Sequence, residues 1–335
     1  MTEFSPRRVL VTGGAGFIGS HFVDALLAAS PDVNSVVVLD ALTYAGRKEN
    51  LAAAETDERC SFVHGDICDR TLVSKLFWKN GFDAVVHLAA ESHVDRSIED
   101  GAPFLRTNVE GTFTLIDVAR EAWRDAKGAR RFLHVSTDEV YGSLGATGKF
   151  TEDSPYLPNS PYAASKASAD LFVRAFQKTH DFPAIVTHCS NNYGPRQLPE
   201  KLIPLCIARA VAGEPIPLYG KGEQVREWLH VEDHCRGLWL ALTRGSVGET
   251  YNLAGATELA NRETVGLVAD AVDAALGRAA GTSRALISLV KDRAGHDFRY
   301  ALDGAKAERE LGFAASVGFA EGIASTVGSH MPQTI

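Results

Sequence analysis

The sequence predicts an α/β fold: a doubly wound parallel sheet joined to a smaller mixed α/β lobe. Three observations carry this. The first half alternates short apolar, β-branched runs with longer amphipathic stretches. A glycine-rich turn stands between the first run and the first amphipathic stretch. The alternation gives way to proline-broken chain after about residue 191.

Taken in order, Val9–Thr12, Val36–Asp40, Phe62–Gly65, Ala84–Leu88, Phe132–Ser136 and Ala184–Thr187 read as strands. Ile18–Ala29, Leu72–Lys79, Phe104–Ala126 and Pro161–Thr179 read as helices between them. Their apolar residues recur at helical spacing, as in Leu105, Val109, Phe113, Ile116 and Ala119. Near-continuous apolar strands separated by helices imply a parallel sheet covered on both faces, with ligands beyond the carboxyl ends of the strands. Pro195, Pro199, Pro204, Pro215 and Pro217 then break the chain, and Gly220 and Gly222 mark a turn. Leu229–Leu242 reads as a helix, Thr250–Leu253 as a strand and Arg262–Leu276 as a helix. The expected division is residues 1–190, with a returning segment at about 229–255, as a dinucleotide-binding lobe of Rossmann type. Residues 191–228 and 256–330 form the substrate lobe.

With 335 residues, 45% hydrophobic and 23% charged, the chain is an ordinary globular protein. A net charge of -8 argues against general nucleic-acid binding, which needs a basic surface for phosphates. Cys60, Cys68, Cys189, Cys206 and Cys235 are odd in number and form no Cys-x-x-Cys pair. Neither a disulfide framework nor a zinc site is expected, and no other metal is expected. A short polar lead runs into Val9–Val11, and no stretch has 18 consecutive apolar residues, so a cytoplasmic, soluble chain without a membrane partner is expected.

The run from Val9 to Gly19 (VLVTGGAGFIG) lies at a strand-to-helix junction. Gly13 permits the tight turn, Gly16 lets the backbone approach a pyrophosphate, and Gly19 allows close packing of helix on strand. The helix start offers free N–H groups and a positive dipole end to phosphates. Asp40 ends the next strand 21 residues after Gly19 (40 − 19), where its carboxylate suits the adenosine ribose hydroxyls. Ala41 and Leu42 follow it rather than an arginine, so NAD is favoured over NADP. Asp66 ends the third strand, within reach of the adenine amino group.

Tyr162 and Lys166 stand at i and i+4 and share one helix face. An ammonium beside the phenol would lower its pKa and suit it to general-base work; the spacing fits an ordinary surface pair equally. Thr137-Asp138-Glu139 follows an apolar strand, where active residues sit in this architecture. One acid can donate a proton to a leaving hydroxyl while the other takes a proton beside a carbonyl. A solvated acidic loop has the same composition.

Together these motifs resemble an extended short-chain dehydrogenase/reductase. The residues that carry the likeness are Thr12–Gly19, His87–Ser97 (HLAAESHVDRS), the Tyr162/Lys166 pair and Asn191–Pro195 (NNYGP). Leu39–Gly46 (LDALTYAG), Ser136–Gly142 (STDEVYG), Pro199–Pro204 (PEKLIP) and Asp292–Asp297 (DRAGHD) narrow it to the dTDP-glucose 4,6-dehydratases. The Asp–Glu pair after Thr137 is the sharpest mark, because related epimerases and decarboxylases usually lack it.

The resemblance implies three steps on one bound NAD, with dTDP-glucose or a related nucleotide sugar as substrate. Tyr162, held by Lys166 and Thr137, would take the C4 hydroxyl proton as C4 passes a hydride to NAD. Glu139 would take the C5 proton while Asp138 protonates the departing C6 hydroxyl, and the hydride would return to C6. Phe17, Ile18, Leu42, Thr43, Ile67, Leu88, Ala89, Ala90, Ser92, Thr107, Ser136 and Asn191 would complete the cofactor site. Substrate contacts would fall to Ser92, Thr137, Asn192, Glu200, Lys201, Leu202, Arg226, Asn261, Arg293 and His296, with Pro217 and Tyr219 along the base. The guanidinium forks of Arg226 and Arg293 suit a diphosphate. A homodimer paired through Phe104–Ala126 and Pro161–Thr179 is implied as well.

Two departures stand out: Arg196 follows Gly194-Pro195 where many dehydratases place an aromatic or similar residue, and the tail from Gly328 to Ile335 lacks Trp and Tyr. The competing readings are a 4-epimerase or 5,6-dehydratase sharing the first oxidation, and a non-catalytic NAD-binding sensor.

Overall fold

A computed structural model describes residues 3–293 and 295–331. The end of the atypical tail, residues 332–335, and Ala294 within the DRAGHD motif lie outside the described residues.

In chain order the elements are β1 (Arg8–Thr12), α1 (Phe17–Ala29), β2 (Ser35–Asp40), β3 (Cys60–His64), α2 (Arg70–Asn80), β4 (Ala84–His87), α3 (Val94–Glu99) and α4 (Ala102–Phe104). A π-helical stretch, Leu105–Gly111, leads into α5 (Thr112–Trp123), then β5 (Arg131–Val135), α6 (Pro161–His180), β6 (Ala184–Cys189) and β7 (Asn191–Tyr193). The remainder is α7 (Leu202–Ala212), β8 (Ile216–Tyr219), β9 (Val225–His230), α8 (Val231–Arg244), β10 (Thr250–Leu253), β11 (Thr257–Ala260), α9 (Asn261–Ala275), β12 (Ile287–Val290), α10 (Ala305–Leu311) and α11 (Phe319–His330).

Seven parallel strands form the main sheet in the order β10-β6-β5-β4-β1-β2-β3. The side-chain period of a strand explains why it is covered twice. In β1, Val9 and Val11 face one core with Phe22, Leu26 and Leu238, from α1 and α8. Leu10 faces another with Val73, Leu115 and Val173, from α2, α5 and α6. The chain leaves β1 toward β2 and β3 and returns to the other side of β1 as β4. The strand order reverses there, so the loops after β1 and β4 diverge and open a crevice at the strands' carboxyl ends.

The last predicted strand, Thr250–Leu253, is β10 and joins the main sheet beside β6. The expected helix Leu229–Leu242 begins two residues later, because Leu229 and His230 end β9 and the strand enters α8 without a loop. The expected helix Phe104–Ala126 is helical to Trp123 but widens into the π-helical stretch, from which Asn108 reaches the loop after β4. β7, β9 and β11 make a small sheet, and β8 pairs with β12. These pack over a third core of Ile203, Ile207, Val265, Val268 and Ile323. α10 packs against β10 and α8.

Candidate active site

A cleft of about 690 Å³ runs from the loop after β1 to the loops after β5 and β7. Gly13 adopts φ +71, and a Cβ there would meet the Ala89 nitrogen at 2.6 Å. A Cβ on Gly19 would lie 2.1 Å from the Gly13 carbonyl oxygen, so this side of α1 sits directly on the turn. At Gly16 only that same oxygen, at 3.2 Å, falls within 4 Å of a built Cβ, which leaves the backbone open to the cleft. No side chain caps α1, so its first N–H groups are free for an anion.

Asp40 is buried at the cleft edge, accepting from Ala15 N at 2.9 Å and Leu42 N at 2.8 Å. Burial raises its pKa, opposed by those two amides. The bond from Leu42 turns that residue to φ +49, and its side chain packs on the core while Ala41 and Thr43 line the cleft. Leu42 is therefore the one nominated cofactor residue outside the lining. Asp66 accepts from Cys68 N at 2.8 Å and pairs with Arg106 at 2.7 Å. Burial pushes its pKa up, but those partners outweigh it and hold the carboxyl below its ordinary value. Phe17, Ile18, Ile67, Leu88, Ala89, Ala90, Ser92, Thr107, Ser136 and Asn191 all line the cleft. This open glycine cradle, free helix start and ribose-side carboxylate together fit a dinucleotide.

At the other end stand Thr137, Asp138, Glu139, Tyr162 and Lys166. Thr137 caps the turn Asp138–Tyr141, accepting from Glu139 N at 3.4 Å and donating to Asp138 Oδ1 at 3.2 Å. Asp138 is buried, its Oδ2 has no partner among the described residues, and burial, then Glu139, then Glu227 push its pKa well up. Burial also raises Glu139, against Arg226 and Lys201. α6 carries Tyr162 and Lys166 into the cleft; Pro161 opens the helix and the Ser160 hydroxyl accepts from Ala163 N at 3.1 Å.

The expected effect of Lys166 on Tyr162 does not dominate. Its Nζ donates to the Val135 carbonyl at 2.9 Å. The phenol is pushed well above its ordinary value by burial, then by Glu139 and Cys189, with Thr137 opposing. For a phenol buried beside carboxyls, loss of hydration outweighs what one ammonium returns. Burial lowers the pKa of Lys166 itself, with Asp170 opposing.

Of the nominated substrate residues, Ser92, Thr137, Asn192, Glu200 and Lys201 line this cleft. Leu202, Pro217, Tyr219, Arg226, Asn261, Arg293 and His296 stand outside its walls, for separate reasons. Leu202 opens α7 and packs on the third core. Pro217 and Tyr219 belong to β8, with the Tyr219 ring 6.2 Å from that of His296, which pairs with Asp292 at 2.7 Å. Arg226 is buried over the Tyr300 ring at 4.4 Å and donates to the carbonyls of Val225 at 2.8 Å and Asp297 at 3.1 Å. Asn261 opens α9 with its Oδ1 buried and without a partner among the described residues. Arg293 pairs with Asp95 of α3. Arg196, at φ +66, pairs with Asp24 of α1 at 2.8 Å and is not part of the cleft lining.

Sequence reasoning missed several contributors. Glu91, Arg106, Cys189 and Gln197 also line the cleft. Asn108 clamps the loop after β4, accepting from Glu91 N at 2.9 Å and donating to Glu91 O at 3.0 Å and Ser165 Oγ at 2.8 Å. Buried Asp170 accepts from Ser136 Oγ at 2.8 Å and pairs with His134 and His188 at 3.0 Å each, tying α6 to β5 and β6. One signal was available for it: Asp170 continues the four-residue spacing of Tyr162 and Lys166 along α6.

A family model described as GDP-mannose 4,6 dehydratase matches residues 10–326. A dTDP-glucose 4,6-dehydratase of Xanthomonas campestris pv. campestris (strain B100) is 53% identical over 323 residues, 95% of this chain and 91% of that protein. DesIV, a dTDP-glucose 4,6-dehydratase from Streptomyces venezuelae solved with NAD and TYD bound, is 52% identical with a TM-score of 0.89, covering 96% of each chain. A UDP-glucose 4-epimerase from Thermotoga maritima shares the fold at a TM-score of 0.84 but is only 28% identical, over 96% of this chain and 98% of its own. The chain belongs to the GDP-mannose 4,6 dehydratase family and stands within it among the dTDP-glucose 4,6-dehydratases.

Proposed function

We propose that the protein is an NAD-dependent 4,6-dehydratase that converts dTDP-glucose to dTDP-4-keto-6-deoxyglucose. The observation that carries this reading is the meeting of Asp138, Glu139 and Tyr162 at one end of a cleft whose other end is a dinucleotide cradle. A 4-epimerase needs the tyrosine but not a buried acid–base pair beside it.

Gly13, Gly16, Gly19, Asp40 and Asp66 hold the cofactor, and bound NAD supplies a hydride acceptor for C4 and a donor for C6. Tyr162, in its phenolate form, takes the C4 hydroxyl proton, with Thr137 beside it as a group that favours the phenolate and Lys166 fixed by the Val135 carbonyl. The resulting ketone acidifies the C5 proton. Glu139 removes it as carboxylate, aided by Arg226 and Lys201. Asp138, kept protonated by burial and by Glu139 and Glu227, delivers its proton to the departing C6 hydroxyl. Two carboxyls with separated protonation states thus divide the acid and base roles. Arg226, Asn261, Arg293 and His296 belong to the nucleotide end of the substrate, beyond the cleft proper, with Pro217 and Tyr219 along its base.

The lobe division at residues 1–190 plus 229–255 against the remainder belongs to the same reading. So does a homodimer. Leu105, Phe113, Leu171 and Phe172 are 64%, 39%, 56% and 40% exposed on the π-helical stretch, α5 and α6, an apolar face that suits a second copy. Five free thiols suit a reducing cytoplasm, and among the described residues no helix is long and apolar enough to cross a membrane.

The test is incubation of purified protein with dTDP-glucose and examination of the product by mass spectrometry and NMR. Loss of water with a C6 methyl and a C4 ketone is expected. A C4-inverted hexose would instead establish an epimerase. Tyr162→Phe should lower kcat by about 10²- to 10⁴-fold, the usual worth of a general base, while leaving NAD bound; undiminished biological activity of that variant would favour the sensor.

A further inference from the structure

Three substrate-lobe side chains nominated as ligands are all held by one short segment of the other lobe. Lys201 Nζ donates to the Ser92 carbonyl at 2.8 Å. Glu200 Oε2 lies 3.7 Å from Arg96 Nη2 and 3.8 Å from His93 Nε2. Arg293 approaches Asp95 with Nε at 2.6 Å from Oδ1 and donates from Nη2 to Oδ2 at 2.9 Å. The segment Ser92–Arg96 is itself braced. Tyr44 Oη is 3.3 Å from Ser92 Oγ, and the Arg96 guanidinium lies 4.2 Å from the Tyr44 ring centroid.

The proposed chemistry gives Asp95 no role of its own, yet Asp95 makes the ion pair to the nominated ligand Arg293. It takes one hydrogen bond from Nη2 of Arg293 and lies in ion-pair contact with Nε, which makes no hydrogen bond among the described residues; the guanidinium also lies 5.4 Å from the Tyr219 ring centroid. A guanidinium carries five N–H donors in a rigid fork. Among the described residues Nη1 has no hydrogen-bond partner. The group is thus fixed along one edge and beside one ring, with a donor corner left over. A carboxylate that merely occupied the phosphate position would cover that corner.

We propose that Asp95 is a positioning residue: it holds Arg293 so that the free corner of its guanidinium meets the diphosphate of the nucleotide sugar. The proposal rests on the reading of Arg293 as a diphosphate ligand.

The experiment uses the NAD-loaded enzyme and two competitive probes: dTDP, which carries the diphosphate, and thymidine, which carries no phosphate. Asp95→Asn should weaken dTDP about ten-fold, equivalent to about 1.4 kcal/mol, with thymidine changed less than two-fold. The effect on turnover of dTDP-glucose should fall on KM rather than kcat. In an Arg293→Ala background the same change should cost nothing more, because the two residues act as one unit. NAD content and melting temperature report on folding. Should Asp95→Asn melt early, Arg293→Lys gives the same readout, since a lysine keeps the charge without the fork.

Tighter dTDP binding by Asp95→Asn would make Asp95 a competitor of the diphosphate and overturn the proposal. Equal losses for dTDP and thymidine would reduce it to general support of the fold, which also overturns it. Arg293→Lys binding dTDP as well as the unaltered enzyme would do the same. Unchanged dTDP binding by Arg293→Ala would remove the reading of Arg293, whereas a loss there without one in Asp95→Asn would remove only the role of Asp95.

Discussion

The two ends of the cleft are built from different materials. At the dinucleotide end the walls are backbone and small side chains, Gly13, Gly16, Ala89 and Ala90, placed by the strands they continue. At the proposed sugar-nucleotide end the long ionisable side chains Glu200 and Lys201 line the wall, with Arg226 and Arg293 beyond it, each held by a partner from a distant part of the chain. The first end recognises by shape and by the dipole of a helix start. The second recognises by charge, and its charges must first be held in place. Errors at the two ends should therefore look different: steric and global at the first, electrostatic and graded at the second.

The largest expected effect is at the first end. Gly19→Ala puts a methyl carbon 2.1 Å from the Gly13 carbonyl oxygen, and neither atom sits on a flexible side chain. α1 must move away from the turn proposed to cradle the pyrophosphate. A loss of about 1–3 kcal/mol of stability is expected, as for other overpacked sites, together with purification largely free of NAD. Thermal unfolding and the cofactor content of the purified variant check this. A variant that keeps both would show that close contact of helix and turn is not what shapes this end.

At the second end the expected effect is a displaced pH profile. Glu227 is buried beside Arg226, accepting from Gly255 N at 3.3 Å and Leu302 N at 3.2 Å and bonded by the Ser190 hydroxyl. It is the third cause, after burial and Glu139, that raises the pKa of Asp138. In the proposed mechanism Asp138 is the general acid and works below its raised pKa, so activity falls as pH rises through it. Glu139, as the base, loses activity as pH falls through its own value. Glu227→Gln removes a negative neighbour, lowers the pKa of Asp138 and moves the alkaline limb of kcat to lower pH, leaving the acid limb nearly in place. A limb that stays put or moves the other way would detach Glu227 from the protonation of Asp138. The raised pKa has a consequence for stability too. Asp138 favours the folded state below the ordinary carboxyl range, and that contribution is lost as pH rises through its folded value.

The same contrast explains what could be read from sequence. The glycine run, Asp40 and the Tyr162/Lys166 spacing are local: a turn, a strand end and one helix face determine where these residues point. Most main-sheet strands were legible for the same reason, since runs such as Val9–Val11 in β1 and Val36–Leu39 in β2 are continuous and apolar. The elements that escaped are the helices α3, α4, α7, α10 and α11 and the strands β7, β8, β9, β11 and β12, which pair only among themselves in two small sheets. Arg226 and Arg293 were legible as residue types that suit a diphosphate, but not as placed groups, because their partners Tyr300, Asp297 and Asp95 are far away in sequence. Asn108 could not be found by periodicity, since it turns inward from a π-helical stretch that breaks the helical period.

The smallest expected effect falls on a residue that belongs to neither end. Arg196 follows the NNYGP motif and drew attention as a departure from its relatives, yet it turns to Asp24 of α1 instead of lining the cleft. Its φ of +66 is costly for any side-chain-bearing residue and free for glycine. Arg196→Gly therefore relieves strain while removing a partly exposed ion pair, and each is worth about 1 kcal/mol or less. The two should nearly cancel, leaving stability within about 1 kcal/mol and KM for dTDP-glucose within about two-fold. Thermal unfolding and steady-state kinetics measure both. A KM rise of ten-fold or more would mean that the bond to Asp24 holds the β7 loop, with Asn191 and Asn192, against the cleft, and the boundary between the two ends would have to be redrawn to include it.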